Sequence, residues 1–400
     1  MSVELPDLAR VRCAWVTPVL GVDGNLLYLG PLLRRLAKGF GSFVVVTGEF
    51  IGDAHTAGFA VERCGGFWRM YRNERATVRQ VAGYRRGVGF ATPAVLLRFL
   101  REPVDLLIIT EFSLYACYAA LATLIVSGTR ILWVVEARPR PDPSRVLAAL
   151  RRLTRRLLAK LADAFITNNE EGGRYLASEL RVDARRIVVS PFLVSDTSTG
   201  RRRSPRRVAL GEPIRFLYVG QLIHRKGVRV ALEALREVSD RTRAPFSLEI
   251  VGDGPERVDL EGFAMRHGIA HLVTFRGRVP YDEIDASYAS AHVFIFPTLS
   301  DYRALAPFEA LSSGLPIIAS HNDGGIAETV DPGRNGFSFD PRHPVELANH
   351  IEYFIRNPHA IAAFSARSLE MAKAYTLESA MKAMQTAASA ALSQRCSSSR

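Results

Sequence analysis

Four hundred residues hold only four cysteines, Cys13, Cys64, Cys117 and Cys396, and no two stand at a metal-binding or redox spacing. That argues against a zinc ribbon or a disulfide scaffold and fits a reducing, cytoplasmic compartment. No apolar run reaches the roughly 20 residues of a membrane-spanning helix; the longest, residues 112–126, reads as a buried helix. Met1–Arg10 carries acids and no apolar core, so no secretory leader is expected there. A G-x-G-x-x-G with an acid about 20 residues on is missing, which argues against a dinucleotide-dependent dehydrogenase. Zinc-finger, RNP-like and helix-turn-helix patterns are missing too, so no nucleic-acid partner is expected. Lysine is scarce: Lys38, Lys160, Lys226, Lys373 and Lys382 stand in a chain whose net charge of +12 comes almost wholly from arginine. That charge points to an anionic partner, either phosphates or an anionic membrane surface.

What is present alternates between short apolar runs and helical stretches. In the first half, strands are expected at Cys13–Thr17, Phe43–Thr47, Leu106–Thr110, Ile131–Val135, Phe165–Thr167 and Ile187–Ser190, with helices such as Leu26–Lys38 and Ser144–Leu161 between them. Continuous apolar strands separated by helices imply a parallel sheet covered on both faces. Ligands of such sheets bind beyond the carboxyl ends of the strands. Those ends carry Gly21 and Gly24, Glu111, and Glu136 with Arg138. The glycines either form a tight turn or let the backbone approach an anion, and the acids are either functional or solvated loop residues.

In Ser144–Leu161 the leucines 147, 150, 153, 157, 158 and 161 form a stripe at helical spacing, with Arg151, Arg152, Arg155 and Arg156 mostly off it. The ordinary arrangement turns the leucines to the sheet and leaves the arginines solvated. The alternative is a basic amphipathic helix lying on an anionic membrane. Arg69, Arg72, Arg75, Arg79, Arg85 and Arg86 would extend such a basic face.

After Pro191 the periodicity stops, and Arg201-Arg202-Arg203-Ser204-Pro205-Arg206-Arg207 reads as a basic linker. The expected division is a first domain over residues 1–196, a linker over 197–212, a second domain over 213–370 and a closing helix over 371–400 that packs back on the first. The second alternation has strands at Ile214–Val219, Ser247–Val251, Val273–Arg276, Val293–Phe296 and Pro316–Ala319, and a helical tail from Pro344 to Leu392. Lys226 and Arg225 stand between Gly220 and Gly227, past the first of these strands, where a compact ammonium suits a phosphate. Past the fourth strand, Asp301 and Glu309 bracket a loop-to-helix junction, with Pro307 at the expected first helical position and Gly314 at the exit. Free N–H groups at residues 304–307 would seat an anion. Glu309 otherwise simply favours the positive end of a helix.

The second half resembles the donor-binding half of the family 4 glycosyltransferases, which have the GT-B fold. The matching residues are Tyr218-Val219-Gly220-Gln221-Leu222-Ile223 with Lys226-Gly227, then Ile250-Val251-Gly252-Asp253-Gly254-Pro255-Glu256 and Val273-Thr274-Phe275-Arg276-Gly277-Arg278-Val279. They continue with Asp301, Glu309-Ala310-Leu311, Gly314-Leu315-Pro316-Ile317-Ile318-Ala319, and Gly324-Gly325 with Glu328. The first half resembles the family more weakly, through the early glycine loop and Ile187-Val188-Val189-Ser190-Pro191. The resemblance implies an α/β chain of two Rossmann-like, doubly wound parallel-sheet domains facing a cleft. It further implies a retaining transfer from a nucleotide diphosphate sugar to a glycan, lipid-linked or small-molecule acceptor, with no cofactor and no obligatory metal.

Carried onto this chain, Glu309 would hold the donor ribose and Asp301 the hydroxyls of the transferred sugar. Lys226 with Arg225 would meet the diphosphate, joined by the amides around Leu305 and Ala306. Backbone around Arg278 and Val279 would read the base. Gln221 and Gly252 would line the donor site, and Gly24 would reach the diphosphate from the first domain. Three positions depart from the family pattern: Asp301 stands for the usual Glu, Gln221 for a frequent Arg, and Glu136 for a frequent His at the end of the fourth strand, on the acceptor side. A non-catalytic nucleotide-sugar-binding subunit and a GT-B nucleotide-sugar epimerase are the alternatives.

Overall fold

A computed structural model describes residues 7–21, 25–51, 58–71, 87–136, 145–192, 194, 204–209, 211–280 and 283–393. The chain divides into two compact units, one of Met1–Val194 with Leu377–Arg400 and one of Ser195–Thr376.

The first unit is built on β1 (Arg12–Gly21), β2 (Ser42–Ile51), β3 (Ala60–Arg63), β6 (Leu106–Thr110), β7 (Arg130–Val135), β8 (Ala164–Thr167) and β9 (Ile187–Val189), with β4 (Phe67–Tyr71) and β5 (Gly87–Ala91) forming a separate antiparallel hairpin. The sheet order is β3-β2-β1-β6-β7-β8-β9 and every pairing is parallel. Trp15 of β1 lies in register between Val45 and Ile108, and both Trp15 and Trp133 are fully buried. Such central strands are apolar on both faces, which is why their runs stood out in the sequence. Helix Leu377–Ser393 belongs to this unit: Ala380, Ala383, Ala387, Ala388 and Ala391 are buried, and the helix packs on β6, β7, β8 and β9. Small residues at helical spacing let its backbone lie close to the sheet.

The second unit carries β10 (Ile214–Val219), β11 (Phe246–Val251), β12 (Val273–Gly277), β13 (Val293–Phe296), β14 (Ile317–Ser320) and β15 (Gly336–Phe339) in the order β12-β11-β10-β13-β14-β15, again all parallel. In both units the strand order reverses beside the first strand, between β1 and β6 and between β10 and β13. Doubly wound sheets open a crevice at that point, beyond the carboxyl ends.

Some expectations need correction. Strands β3 and β15 and the β4–β5 hairpin lie where none was expected. Helix Leu114–Ala122 covers only part of the 112–126 run, and Leu114, Leu121, Leu124 and Ile125 are exposed. The tail is three helices, Pro344–Arg356, Ala360–Ala372 and Leu377–Ser393.

The largest correction concerns helix Arg145–Ala159. Its leucines do not face the sheet: Val146, Leu147, Leu150, Leu153 and Leu157 are 47–77% exposed. Only Leu158 and Leu161 of the stripe pack on the first core. The arginines include the inward-facing residues. Arg156 donates from Nε to the Glu179 carbonyl at 2.7 Å and Arg155 donates to the Tyr175 hydroxyl at 3.1 Å, while Arg152, itself exposed, reaches Glu179 at 3.7 Å. A regular stripe fixes which residues share a face, but not which way that face turns. No helix among the described residues is long and apolar enough to cross a membrane.

Candidate functional site

The crevice between β10 and β13 is walled by two loops held against each other. After β10 the chain makes a single turn, His224–Lys226, and leaves it through Gly227 at φ 65°. A Cβ on Gly227 would lie 2.1 Å from the Pro297 carbonyl oxygen, so only glycine fits where the turn meets the end of β13. The Arg225 carbonyl accepts the Leu299 N–H at 2.8 Å and the Thr298 hydroxyl at 2.9 Å. These backbone bonds set the side chains of Arg225 and Lys226 beside Asp301.

Asp301 Oδ2 accepts Lys226 Nζ at 2.5 Å and Arg225 Nη1 at 2.9 Å, while Oδ1 accepts the Tyr302 N–H at 3.1 Å. Side-chain exposure is 4% for Asp301, 12% for Lys226 and 19% for Arg225. Lys226 also lies 5.1 Å from the centre of the Phe296 ring. Burial lowers the Lys226 pKa, opposed by Asp301. Two cations thus share one carboxylate at the switch point, a strong, geometrically fixed arrangement.

A third loop, after β14, closes this site from the other side. Asp301 donates its N–H to the Asn322 carbonyl at 3.0 Å, and Gly324 donates to the Asp301 carbonyl at 3.2 Å. A Cβ on Gly324 would meet the Tyr302 carbonyl oxygen at 1.8 Å. Behind it, Arg303 grips Glu328 through Nε and Nη2 at 2.9–3.1 Å and stacks 3.8 Å over the Phe308 ring.

Helix Ala306–Ser312 follows, with Pro307 at its second position rather than its first. Glu309 is buried and its Oε2 accepts the hydroxyl of the buried Tyr288 at 2.7 Å. The expected free N–H groups at 304–307 need correction: Ala304 donates to Asp323 at 3.4 Å, and Pro307 has no N–H. Leu305 and Ala306 are half-buried. Gln221 is exposed. Gly252 donates to the Gly277 carbonyl at 2.8 Å, and a Cβ there would meet the Gly220 oxygen at 1.9 Å. Arg278 is exposed and Val279 packs on the second core. The structure therefore joins Arg225, Lys226 and Asp301 by direct contact and adds Tyr288, Arg303 and Asp323, which the sequence reading missed. Tyr288 carries no local motif; Asp323 lies past the end of β14, where the carboxyl-end rule alone points.

In the first unit, Gly24 and Arg138 lie outside the described residues. Glu111, just past β6, takes φ 55°, a left-handed conformation costing about 1 kcal/mol for a residue with a side chain. Its Oε1 accepts the Glu136 N–H at 2.9 Å and its carbonyl accepts Trp133 Nε1 at 2.8 Å. Burial holds Glu111 above the usual carboxylate range, opposed by the Glu136 N–H and the charge of Arg155. Asn168 donates to the Glu136 carbonyl at 3.0 Å and accepts the Phe192 N–H at 3.0 Å. Backbone strain at a switch point, held by hydrogen bonds to the end of β7, marks Glu111 as a positioned group.

Residues 201–371 match the family described as "Glycosyl transferases group 1". The chain is 28% identical over 234 residues to a 2-deoxystreptamine glucosyltransferase of Streptomyces kanamyceticus, covering 56% of this chain and 60% of that one. It is 28% identical over 227 residues to a D-inositol 3-phosphate glycosyltransferase of Paenarthrobacter aurescens, covering 55% and 54%. The chain thus spans less than two thirds of the length of these relatives. Among solved structures, Anabaena Alr3699/HepE in complex with UDP superposes with TM-score 0.69 at 16% identity over 94% of this chain and 99% of that one. The lipopolysaccharide outer core galactosyltransferase WaaB gives 0.68 at 15% over 94% and 98%. The fold is therefore the two-domain, Rossmann-like α/β architecture of GT-B glycosyltransferases.

Proposed function

We propose that the chain transfers a sugar, with retention of configuration, from a nucleoside diphosphate sugar to a hydroxyl acceptor. The observation that carries this reading is the Arg225–Asp301–Lys226 cluster at the switch point of the sheet whose sequence matches group 1 glycosyltransferases. Lys226 and Arg225 exchange Asp301 for the donor diphosphate. Freed of one partner, Asp301 faces the hydroxyls of the transferred sugar. Glu309, oriented by Tyr288, holds the ribose diol, and the backbone at Arg278 and Val279 meets the base. Cleavage of the bond from the anomeric carbon to phosphate puts negative charge on the leaving diphosphate. The two fixed cations stabilise that charge in a site already shielded from water, so no metal is obligatory in this scheme. Glu111 and Glu136 serve the acceptor side.

The acceptor in this reading is lipid-linked or a surface glycan, met at the cytoplasmic face of a membrane. The outward leucines of helix Arg145–Ala159 support it, with the exposed Arg151, Arg152 and Lys160 near them and a net charge of +12. Apolar side chains enter the lipid boundary, and each basic residue adds about 1 kcal/mol on anionic lipid.

A panel of nucleoside diphosphate sugars tests the first part by thermal stabilisation. At least one should raise the Tm, and Lys226→Ala should diminish that rise; no response from any donor would sink the reading. For the second part, the protein should sediment with anionic vesicles and not with neutral ones, and Leu150→Ser with Leu153→Ser should release it. Equal sedimentation of the double variant would remove the helix from the membrane.

A further inference from the structure

The loop after β14 buries a carboxyl group of which one oxygen has nothing to bond. Asp323 is 1% exposed. Its Oδ1 accepts the N–H groups of Ala304 and Gly325 at 3.4 and 3.3 Å, both long contacts. Oδ2 has no hydrogen-bond partner among the described residues. Its surroundings are partly apolar: a Cβ on Gly325 would lie 3.6 Å from Asp323 Oδ2, 3.2 Å from Arg303 Cγ and 3.3 Å from Phe308 Cε2. An ionised carboxylate with a bare buried oxygen is unfavourable, and the neutral acid relieves most of that.

The charged groups around Asp323 come from four elements. Asp301 sits on the loop after β13, backbone-paired with residues 322 and 324. Lys226 and Arg225 come from the turn after β10 and already share Asp301. Arg303 lies on the adjoining loop and spends its guanidinium on Glu328 of helix Ile326–Thr329, and Glu309 stands on helix Ala306–Ser312. Two carboxylates on touching loops, Asp301 and Asp323, therefore both draw on Lys226. Burial first, then the charge of Asp301, pushes Asp323 up to about 7, against its two N–H donors and Lys226.

We propose that Asp323 is a working part of the diphosphate seat, a carboxyl group that takes up one proton as a nucleoside diphosphate binds. The inference rests on the donor-site reading above. An incoming diphosphate draws Lys226 and Arg225 away from Asp301, so both carboxylates lose compensation while new negative charge arrives. A proton from solvent on Asp323 removes one of those charges, with no other bond made or broken. Binding then carries a proton with it and weakens as pH rises, by at most tenfold per unit for one linked proton.

Calorimetry with UDP as the probe, in buffers of different ionisation enthalpy, reads this directly. Wild type should take up close to one proton per UDP at pH 8 and much less at pH 6, with affinity falling several-fold between them. Asp323→Asn should bind UDP with pH-independent affinity beyond the titration of UDP's own terminal phosphate, which both proteins share. A second readout needs no ligand. The folded value of Asp323 lies above its unfolded one, so its contribution to stability is full below about pH 4 and lost as pH rises through about 7. Asp323→Asn should therefore gain Tm relative to wild type between pH 5 and pH 8. Equal proton uptake by both proteins at pH 8 overturns the proposal, even where the Tm gain appears, because the buried acid then lies outside the seat. A constant Tm difference overturns it as well. Failure of UDP, GDP and ADP alike to bind would instead bring down the donor-site reading, and this inference with it.

Discussion

The two sheets share one plan, yet their switch points are furnished with opposite charge. Between β10 and β13, Arg225 and Lys226 surround Asp301 in a nearly closed knot. Between β1 and β6 the described residues present a strained acid, Glu111, held by the Glu136 amide with Arg155 near it. The same strand-end position therefore gathers two cations on one carboxylate in one unit and a buried, strained acid in the other. Topology chooses the place; the few residues after each strand choose the ligand.

Five variants test that division, in descending order of expected effect. Asp301→Asn should lower kcat about 100-fold, roughly 2.7 kcal/mol, and change donor KM far less, the pattern of an interaction strengthened at the transition state. Asp301→Glu should not restore activity, since a 4% exposed side chain between two cations has no room for another methylene. Lys226→Ala should weaken donor binding at least tenfold, about 1.5 kcal/mol, by calorimetry. Undiminished binding there would erase the contrast between the units. Tyr288→Phe leaves Glu309 without its hydroxyl partner and should weaken donor binding about fivefold, roughly 1 kcal/mol, at unchanged kcat. Glu111→Gln should raise acceptor KM a few-fold and leave UDP affinity as it was; a shift in UDP affinity would break the division. The raised folded pKa of Glu111 also means that its stability contribution is present at acid pH and lost as pH rises, so Glu111→Gln should gain relative Tm toward neutral pH.

Most strands were legible because a parallel strand buried on both faces must be a continuous apolar run, as Leu106–Thr110 and Val293–Phe296 are. Edge pieces escaped for the same reason: Ala60–Arg63 ends in two charges, and Gly336–Phe339 alternates glycine, serine and aromatic. The leucine stripe of Arg145–Ala159 was legible as a stripe, but the sequence left open whether it faces the core or turns outward, and the structure turns it outward. Periodicity carries phase but no direction; the inward pull of Glu179 and Tyr175 on the arginines is a tertiary fact. At the site, Lys226 and Asp301 stood out as rare or bracketing residues next to strand ends. Asp323 did not, because an Asn-Asp-Gly-Gly run reads equally well as an ordinary turn. Its meaning comes from the loop 20 residues earlier that buries it.

The return of the chain to its first unit has a consequence for synthesis. Strands β6 to β9 and helix Leu377–Ser393 share one core, but the whole of the second unit is made between them. At about 5–20 residues per second, the first unit waits on the order of ten to forty seconds on the ribosome with the seat of that helix uncovered. The second unit carries its six strands between Ile214 and Phe339 and meets no such delay. Vectorial folding should therefore run backwards for this chain, the later unit closing before the earlier one. Cleavage or early termination near Thr376 would spare the second core and leave the first one open to chaperones.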